Sequence, residues 1–514
     1  MSIRELPPRP DLEHLKKQAK ELLHKLEQRE PEALRRAAGV RVEFDPAAPR
    51  LNDAQRVLAL EHGFESWPKL KAHVASAAEN PADALATAIN ANDAALVRAV
   101  LARHPELKAR IDEPLPGLSF DAPAMIGAVH RNNREMVEAL LEAGANIDAR
   151  TKWWAGGFGV LDVSSQELTP YLIERGAYVD IHAAARLGRL DRVKELSQGD
   201  PALVHACGGD GQLPLHFAAT VEIAEYLIAH GAKIDARDID HESTAAQYAV
   251  SIRPRRPDVA RLLVAHGAET DILMSAALGD VELVRRHLDA NPEAVWTKVS
   301  EEDFPKRNPD AGGCIYIFGF GWNKTPHMLA SEGGHTEALR LLMERSPLEL
   351  QLSQALAIGD EAAAAELMAG HPGAIATLSP RTRGAMVSAA MQNNTRGVER
   401  MASAGWPVDV RGDKDRTALH WAGWHGNSEM ARALLAAGAP LEVREAEYGG
   451  TPLGWAIHGS KNGWHAQTGD YVGTVEALLA AGAKAPALSD VLTVSAAVRE
   501  VLRRHADRSA NKEG

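Results

Sequence analysis

One pattern recurs along this chain and limits how it can fold: an apolar helix face, an Ala-Gly pair or a close relative, and then a short hydrophobic step. Examples are "MVEALLEAGANIDAR" and "MARALLAAGAPLEVR". Glycine enters the left-handed conformation that commonly ends a helix more easily than other residues do. The pattern therefore predicts a helix end at each of seven glycines: Gly144, Gly176, Gly231, Gly267, Gly405, Gly438 and Gly482.

Proline ends the same kind of helix in five further segments, because it cannot continue the helical hydrogen-bond ladder. These prolines are Pro105, Pro201, Pro292, Pro347 and Pro372. Seven and five signals together predict twelve helical units, and the spacing between Gly405 and Gly438 is 33 residues. A single globular core stops growing at about 250 to 300 residues, so a chain of 514 must form several domains or an open-ended repeat array.

A second motif opens the first helix of several units. It occurs as "LPLHFAA" (213–219), "TPHMLAS" (325–331), "TALHWAG" (417–423) and "TPLGWAI" (451–457). Threonine can cap such a helix, and proline is tolerated in its first turn. The motif and the period resemble those of the ankyrin-repeat family. The resemblance covers residues 79–486 and implies an all-α solenoid of about twelve ankyrin repeats in a protein of bacterial type, although most units lack the motif histidine that usually bonds to the neighbouring repeat.

The two ends of the chain differ from the array. Residues 1–78 contain "DLEHLKKQAKELLHKLEQ" and "LNDAQRVLALEHGFESWPKLKAHV", which predict helices with a break at Gly63 and a cap at Ser66. This region resembles an N-terminal helical module that precedes bacterial ankyrin arrays, where it would cover the first apolar face. Residues 487–506 predict a C-terminal capping helix, and residues 507–514 a disordered tail.

Charge and cysteine content exclude several classes of partner. The chain has 57 Lys and Arg against 69 Asp and Glu, a formal charge of -12, which would repel nucleic acid and anionic lipid. Cys207 and Cys314 have no spacing typical of a disulfide framework or a zinc site. No apolar run approaches the ~18 residues that a membrane helix requires. These features predict a soluble protein of the reducing cytoplasm.

Two insertions interrupt the array with aromatic residues. In the first, 297–322, "CIYIFGFGW" alternates like a strand and predicts a β-hairpin finger, with Tyr316, Phe318 and Trp322 as candidate binding residues. The second, "TKWWAGGFGVLD" (151–162), has a similar composition. Glycines between aromatic residues suit a finger or a lid over a groove. The alternative is that these rings only cover apolar repeat surface.

A third insertion, 459–471, separates the paired helices of the last unit. The ankyrin resemblance assigns Trp424, His425 and His458 to the concave face, and it assigns Trp421 and Trp455 to a buried motif position. The inserted loop would bring Trp464 and His465 alongside. These five residues, Trp424, His425, His458, Trp464 and His465, are the predicted binding site, unless the tryptophans are core and the histidines are solvated. Imidazoles titrate near pH 6.5, so binding is expected to change between about pH 5.5 and 7.5.

The segment "DIDHEST" (238–244) has a composition that could bind a metal, with Asp238, Asp240, His241 and Glu242 close together. Asp-x-Asp is also the ordinary ankyrin turn. We interpret the segment as an ordinary ankyrin turn in which the histidine or the glutamate faces solvent. No metal and no cofactor is predicted.

The chain lacks the familiar catalytic signatures, among them G-x-S-x-G, the phosphate loop and H-E-x-x-H. Catalytic residues therefore stay unknown. The favoured function is a scaffold that recognises a protein or peptide on its concave, aromatic and histidine-rich face. The alternative is an enzyme or a small-molecule-binding protein, with a pocket between the concave face, the aromatic finger and the insertion in the last repeat.

Overall fold

The structure is a computed structural model that describes residues 12–40, 49–64, 66–67, 70, 80–486 and 494–513. The chain divides into two compact units, Met1–Val179 and Asp180–Gly514. The α-helices described in the first unit are Leu12–Glu27, Pro31–Gly39, Leu51–Glu61, Pro81–Asn90, Ala94–Arg103, Ala124–His130, Arg134–Glu142, Val160–Val163 and Leu168–Glu174. Short 3-10 segments are Pro105–Arg110 and Ser119–Asp121.

The first three helices bury a core of their own. Leu15, Ala19, Leu22 and Leu26 recur every three or four residues and are all buried, as amphipathic helix spacing requires. Arg36 donates two hydrogen bonds to Glu61, at 2.9 and 2.8 Å, which join the second helix to the third. Most of the helix predicted to start at Ser66 lies outside the described residues.

The second unit continues with helices from Asp180 onward. Its described α-helices are Ile181–Arg186, Leu190–Gly199, Pro214–Phe217, Val221–Ala229, Ala245–Ser251, Pro257–Ala265, Ile272–Leu278, Val281–Ala290, Tyr316–Gly319, Pro326–Glu332, Thr336–Arg345, Leu348–Ile358, Glu361–Gly370, Pro380–Arg383, Ala385–Met391, Thr395–Ser403, Ala418–His425, Ser428–Ala436, Pro452–Asn462, Tyr471–Ala480 and Ala496–Glu513. Its 3-10 segments are Pro201–His205, Gly209–Gly211, Pro292–Trp296, Ala374–Thr377 and Asp413–Asp415.

Within each unit, consecutive repeat helices pack in pairs, and successive pairs contact each other. Ala418–His425 contacts its partner Ser428–Ala436 and also Pro452–Asn462, the first helix of the following pair. The seven glycines of the repeated pattern have φ values from 84° to 99°, so the predicted left-handed helix ends are confirmed. This stacking of helical pairs is how repeat proteins bury a continuous core.

Where the motif histidine is present, it connects successive repeats. His216 Nδ1 accepts a hydrogen bond from Leu213 N–H at 3.1 Å, and its Nε2 donates to Ser243 O at 3.1 Å. His420 repeats the arrangement with Thr417 N–H and with Gly450 O, at 3.1 and 3.2 Å. Each imidazole caps its own helix and holds the turn of the next repeat.

The predicted β-hairpin finger is wrong. The described residues contain no β-strand, only isolated bridges between Pro114 and Pro123 and between Arg237 and Thr244. Residues Tyr316–Gly319 form a single helical turn instead. Helical spacing places Tyr316 and Phe320 on one side, where their rings stack at 4.9 Å. The alternation of aromatic residues fits this i, i+4 pair as well as it fits a strand.

The last helix, Ala496–Glu513, packs on Tyr471–Ala480 and buries Val498, Val501 and Leu502. It includes most of the segment 507–514 that the sequence predicts as a disordered tail, and Arg503 donates to Asp507 one helical turn later at 2.9 Å. Residues 487–493 lie outside the described part, so the predicted domain limits stay predictions. Among the described helices, none is long and apolar enough to cross a membrane.

Candidate functional site

Aromatic rings from two neighbouring helices and the loop after the second one form a continuous cluster in the second unit. Trp424 contacts Trp455, His458 and Trp464, with ring centroids 5.7, 6.1 and 6.2 Å away. His425 contacts Trp464 at 5.5 Å and His465 at 5.1 Å. The structure therefore brings the five predicted residues together, and we call Trp424, His425, His458, Trp464 and His465 the aromatic patch.

Glycines allow the inserted loop to approach the end of the helix Ala418–His425. A Cβ atom at Gly463 would lie 2.5 Å from Trp424 O, and one at Gly469 would lie 2.5 Å from His425 O. The side chain of Tyr471 fixes the same junction, because its hydroxyl donates to Trp424 O at 2.7 Å. The loop is thus held against the helix end, which presents Trp464 over the other rings.

Burial varies strongly across the patch. Trp421, beneath it, is only 7% exposed and stacks on Trp464 at 5.8 Å. Trp424 is half-buried, and its Nε1 is a buried donor with no hydrogen-bond acceptor among the described residues. His458 is exposed, and Trp464 is 59% exposed. The patch thus has a packed base and an accessible aromatic rim.

The expectation of solvated histidines is wrong for His425, which is only 3% exposed. Its Nε2 lies 3.0 Å from Met391 O and donates to it, since a carbonyl oxygen can only accept. Burial lowers the pKa of His425 to about 4. His425 therefore stays neutral between pH 5.5 and 7.5 and cannot supply the pH dependence predicted from the sequence.

The insertion 297–322 packs back onto the second unit through one aromatic anchor. Tyr316 is fully buried, and its hydroxyl donates to Asp271 Oδ2 at 2.8 Å. Phe318 is 59% exposed and Trp322 is half-buried. Tyr316 was predicted to bind ligand, but a ligand cannot reach it without unpacking the insertion. Its role is to attach the insertion to the repeats.

Met391 connects the end of this insertion with the base of the aromatic patch. Asn323 Nδ2 lies 3.1 Å from Met391 Sδ, while Met391 O accepts from His425. The shorter insertion, 151–162, lies in the first unit, where Trp153 packs edge-on against Phe120 at 5.2 Å. Trp154 beside it is 45% exposed.

A groove of about 540 Å³ lies between the helices Tyr471–Ala480 and Ala496–Glu513. Its lining contains both charged and apolar side chains: Glu476, Leu479, Ala480, Val501, Arg504, His505 and Arg508. None of the residues that the sequence singled out for binding belongs to this lining. The groove therefore does not correspond to the pocket of the alternative function.

The turn "DIDHEST" also differs from its sequence interpretation. His241 is buried and does not face solvent, and Glu242 accepts hydrogen bonds from Arg307 N–H at 2.7 Å and Asn308 N–H at 3.0 Å. Asp210, which sequence reasoning missed, lies next to His241. The available signal was the "GDG" turn that stands before "LPLH", because corresponding turns of successive repeats lie side by side.

Comparison with known proteins supports the repeat assignment. A family model described as ankyrin repeats (3 copies) matches residues 181–274 and 385–487, and a model of the single ankyrin repeat matches 123–152. No curated protein matches the chain.

Two solved structures are similar to parts of the chain. An ankyrin repeat domain from Acinetobacter baumannii AYE is 22% identical; the match covers 41% of this chain and 98% of that domain, and the TM-score is 0.24. The ankyrin repeat domain of human ASB11 is 20% identical, with coverage of 54% and 100% and a TM-score of 0.25. The family-model matches and the stacked helical pairs lead to one conclusion: this chain carries ankyrin repeats.

Proposed function

We propose that the chain is a binding scaffold that holds a segment of a partner protein on the aromatic patch, with Trp424 and Trp464 as its anchors. Ankyrin repeats generally mediate protein–protein interaction, and family models of these repeats match the helices that carry the patch. The observation that supports the site best is Trp464, a large apolar side chain that is 59% exposed while ring contacts hold it in place.

Two further properties of the patch suit a protein segment. Aromatic anchors at the centre of an interface supply most of its binding energy, and tryptophan is enriched among them. His458 is exposed beside Trp424, so its imidazole offers the partner a hydrogen-bonding group at the edge of the patch. The ankyrin resemblance assigns Trp424 and His458 to the concave face, so the partner would lie along that face.

The test is to select peptides from a display library on the full-length protein and to measure their affinity for variants. Trp464→Ala is expected to weaken binding by about 30-fold, because loss of an anchor typically costs ~2 kcal/mol and 1.4 kcal/mol is tenfold. Trp424→Ala is expected to have a similar effect. Melting temperatures of both variants establish that the fold is retained.

Trp154→Ala is the matched control, because Trp154 is also an exposed tryptophan but lies in the first unit. Its peptide affinity is expected to stay within about threefold of the wild type. Equal losses of peptide affinity in Trp154→Ala and Trp464→Ala would mean that the assay measures nonspecific binding to exposed indoles. Unchanged affinity of Trp464→Ala would place the binding site elsewhere.

We also propose the finer features that the sequence predicts. These are twelve repeats over residues 79–486, a helical module of bacterial type over 1–78, a capping helix after the last repeat, and a cytoplasmic location. The twelve helix-ending signals and the two free cysteines, Cys207 and Cys314, support them. An experimental structure with fewer helical pairs, or a protein recovered only from an oxidising compartment, would contradict them.

A further inference from the structure

Three side chains able to bind a metal meet where two successive repeat turns touch in the second unit. Nε2 of His241 lies 3.5 Å from Oδ2 of Asp210 and 3.7 Å from Oδ2 of Asp240. One ligand atom from each of the three residues lies within 4.8 Å of the others. Both carboxylate residues are buried, which is unusual for aspartate unless it has a partner.

The backbone fixes this arrangement before any ligand is considered. The carbonyl of Asp210 accepts hydrogen bonds from Ile239 N–H at 2.9 Å and from Asp240 N–H at 3.1 Å, so the two turns are docked on each other. Asp210 itself has a φ of 55°, in the left-handed region that aspartate tolerates better than most residues. The two carboxylates are therefore held near the same ring nitrogen, Nε2 of His241.

The orientation of the imidazole suits a metal ligand. His241 Nδ1 lies 3.0 Å from Gly313 O. A carbonyl oxygen only accepts, so Nδ1 carries the hydrogen, and Nε2 faces the two carboxylates. Histidines that bind metals commonly donate their other ring N–H to a carbonyl in this way, which fixes the tautomer.

Without a ligand, this cluster has a carboxylate oxygen that accepts no hydrogen bond and a negative charge that is not neutralised. Asp210 Oδ1 is buried and has no hydrogen-bond partner among the described residues. Asp240 Oδ1 accepts from Gly312 N–H at 3.0 Å. Asp210 and Asp240 around a protonated imidazole sum to one net negative charge, whereas with a neutral imidazole and a divalent cation they sum to zero. The buried carboxylate of Asp238 in the same turn adds one negative charge to either total, so the cation leaves less uncompensated charge.

We propose that Asp210, Asp240 and His241 form a binding site for a divalent transition-metal ion, with zinc preferred. Imidazole and carboxylate together suit zinc, and tetrahedral ligands at bond lengths of about 2.0 to 2.1 Å lie about 3.3 Å apart. The observed separations of 3.5 and 3.7 Å come close to this geometry. Three protein ligands leave the fourth position open to water or to a substrate oxygen.

Asp238 lies in the same turn. It holds the turn in shape through hydrogen bonds and is not one of the proposed metal ligands. Its carboxylate accepts from the N–H groups of His241 and Ser243, at 2.8 and 2.7 Å, and from the hydroxyl of Tyr248 at 3.0 Å. With these donors in place, its oxygens are satisfied. Asp238 therefore shapes the loop that presents Asp240 and His241.

The insertion 297–322 forms the outer wall of the site. A Cβ atom at Gly312 would lie 3.2 Å from Asp240 Oδ2 and 3.3 Å from His241 Cε1, so a side chain there would crowd both ligands. The ring of Phe318 lies 4.8 Å from that of His241 and is largely exposed. The long aromatic insertion thus forms part of the wall around the site.

A proton on His241 Nε2 is the competing occupant. Burial acts to lower the pKa of His241, but the carboxylates of Asp210 and Asp238 outweigh it and raise that pKa. The experiment must therefore distinguish a bound cation from an imidazolium between two carboxylates.

Isothermal titration of the full-length protein with zinc chloride, after treatment with a chelator, provides the test. We expect one zinc ion per chain, and at least a tenfold loss of affinity in Asp210→Asn, which keeps the size of the side chain and removes its charge. Excess zinc should also raise the melting temperature of the wild type by at least about 2 °C, because the ion binds the folded state. That increase should be absent in Asp210→Asn.

Two control variants separate this site from adventitious binding. Asp413→Asn changes an aspartate whose side chain is 83% exposed in another repeat turn, and His371→Gln removes an exposed histidine outside the aromatic patch. Both are expected to bind zinc as the wild type does. Wild-type affinity in Asp210→Asn, or loss of binding in His371→Gln, would assign the zinc to surface groups and overturn the proposal.

Cobalt keeps the proposal testable if Asp210→Asn fails to fold. Co²⁺ in a tetrahedral site of the wild-type protein should give intense visible absorption that zinc abolishes. A protein that shows neither this absorption nor saturable binding of zinc holds a proton at Nε2 instead, and the proposal is then wrong.

Discussion

Truncation of Tyr316 to alanine is expected to lower the free energy of unfolding by at least about 4 kcal/mol. Removal of a buried aromatic side chain typically costs about 3 to 5 kcal/mol, and a buried carboxylate that loses a donor adds about 1 to 3 kcal/mol. Tyr316 meets both conditions, since it is fully buried and donates to Asp271 Oδ2 at 2.8 Å. Urea denaturation followed by circular dichroism measures the change.

Phe318→Ala is the matched control on the same helical turn. Phe318 is 59% exposed, so its truncation should change the free energy of unfolding by less than about 1 kcal/mol. Tyr316→Phe isolates the hydrogen bond to Asp271 and should fall between the two, at about 1.5 to 3 kcal/mol. If Phe318→Ala destabilised the protein as much as Tyr316→Ala, the packing of the insertion on the repeats would be contradicted.

Stability should fall steeply as the pH decreases from 6.5 to 4, because buried histidines, His216 and His327 as well as His425, stay neutral in the folded state. Burial lowers the pKa of both His216 and His327 from 6.5 to about 4. In this window the unfolded chain binds the proton and the folded chain does not, so acid favours unfolding. Each histidine should contribute about 1.4 kcal/mol per pH unit, or about 3 kcal/mol over the whole window.

Burial is the main reason why these rings resist protonation, and the surroundings of Nδ1 act in the same direction. His216 Nδ1 already accepts from Leu213 N–H, so a proton there would oppose a donor. His327 donates through Nε2 to Ser346 Oγ at 2.9 Å, and its Nδ1 is buried without a partner. In both histidines the added proton would go to Nδ1, and in neither does Nδ1 face a hydrogen-bond acceptor.

Denaturation midpoints measured between pH 4 and 7 for His216→Gln and His327→Gln test this expectation. Each variant should show a shallower pH dependence than the wild type, by about 1.4 kcal/mol per unit between pH 4 and 6.5. The carboxylates titrate in all three proteins, so the difference isolates the histidine. Identical slopes in the wild type and both variants would mean that these rings are protonated in the folded protein.

Part of the aromatic patch could be predicted from the sequence because its geometry repeats. A family register assigns Trp424 and His458 to corresponding positions in adjacent units, and the inserted loop is short enough that Trp464 must lie near them. The rings do meet, with centroids 6.1 and 6.2 Å from that of Trp424. The burial of His425 could not be predicted from this register, because Met391, which lies in another repeat, and the inserted loop cover its side chain.

The sequence by itself determined the features that depend on neighbouring residues. The glycine of each repeat ends its helix, as at Gly438, and the motif residues around Thr417 and His420 cap the next one, because φ preference and capping act within a few positions. Such signals recur with the repeat and can be counted without a structure.

Only the tertiary structure decided what the insertion does and which buried polar groups meet. The alternation of aromatic residues over 314–322 is compatible with a strand and with a helical turn, and the surface that Tyr316 enters beside Asp271 selects the helical turn. The pairing of Asp210 with His241 joins turns of two repeats, and Gly313 of the insertion then fixes the imidazole. These contacts join residues that are 31 to 72 positions apart in the chain, and no local preference encodes which surfaces pack together over that separation.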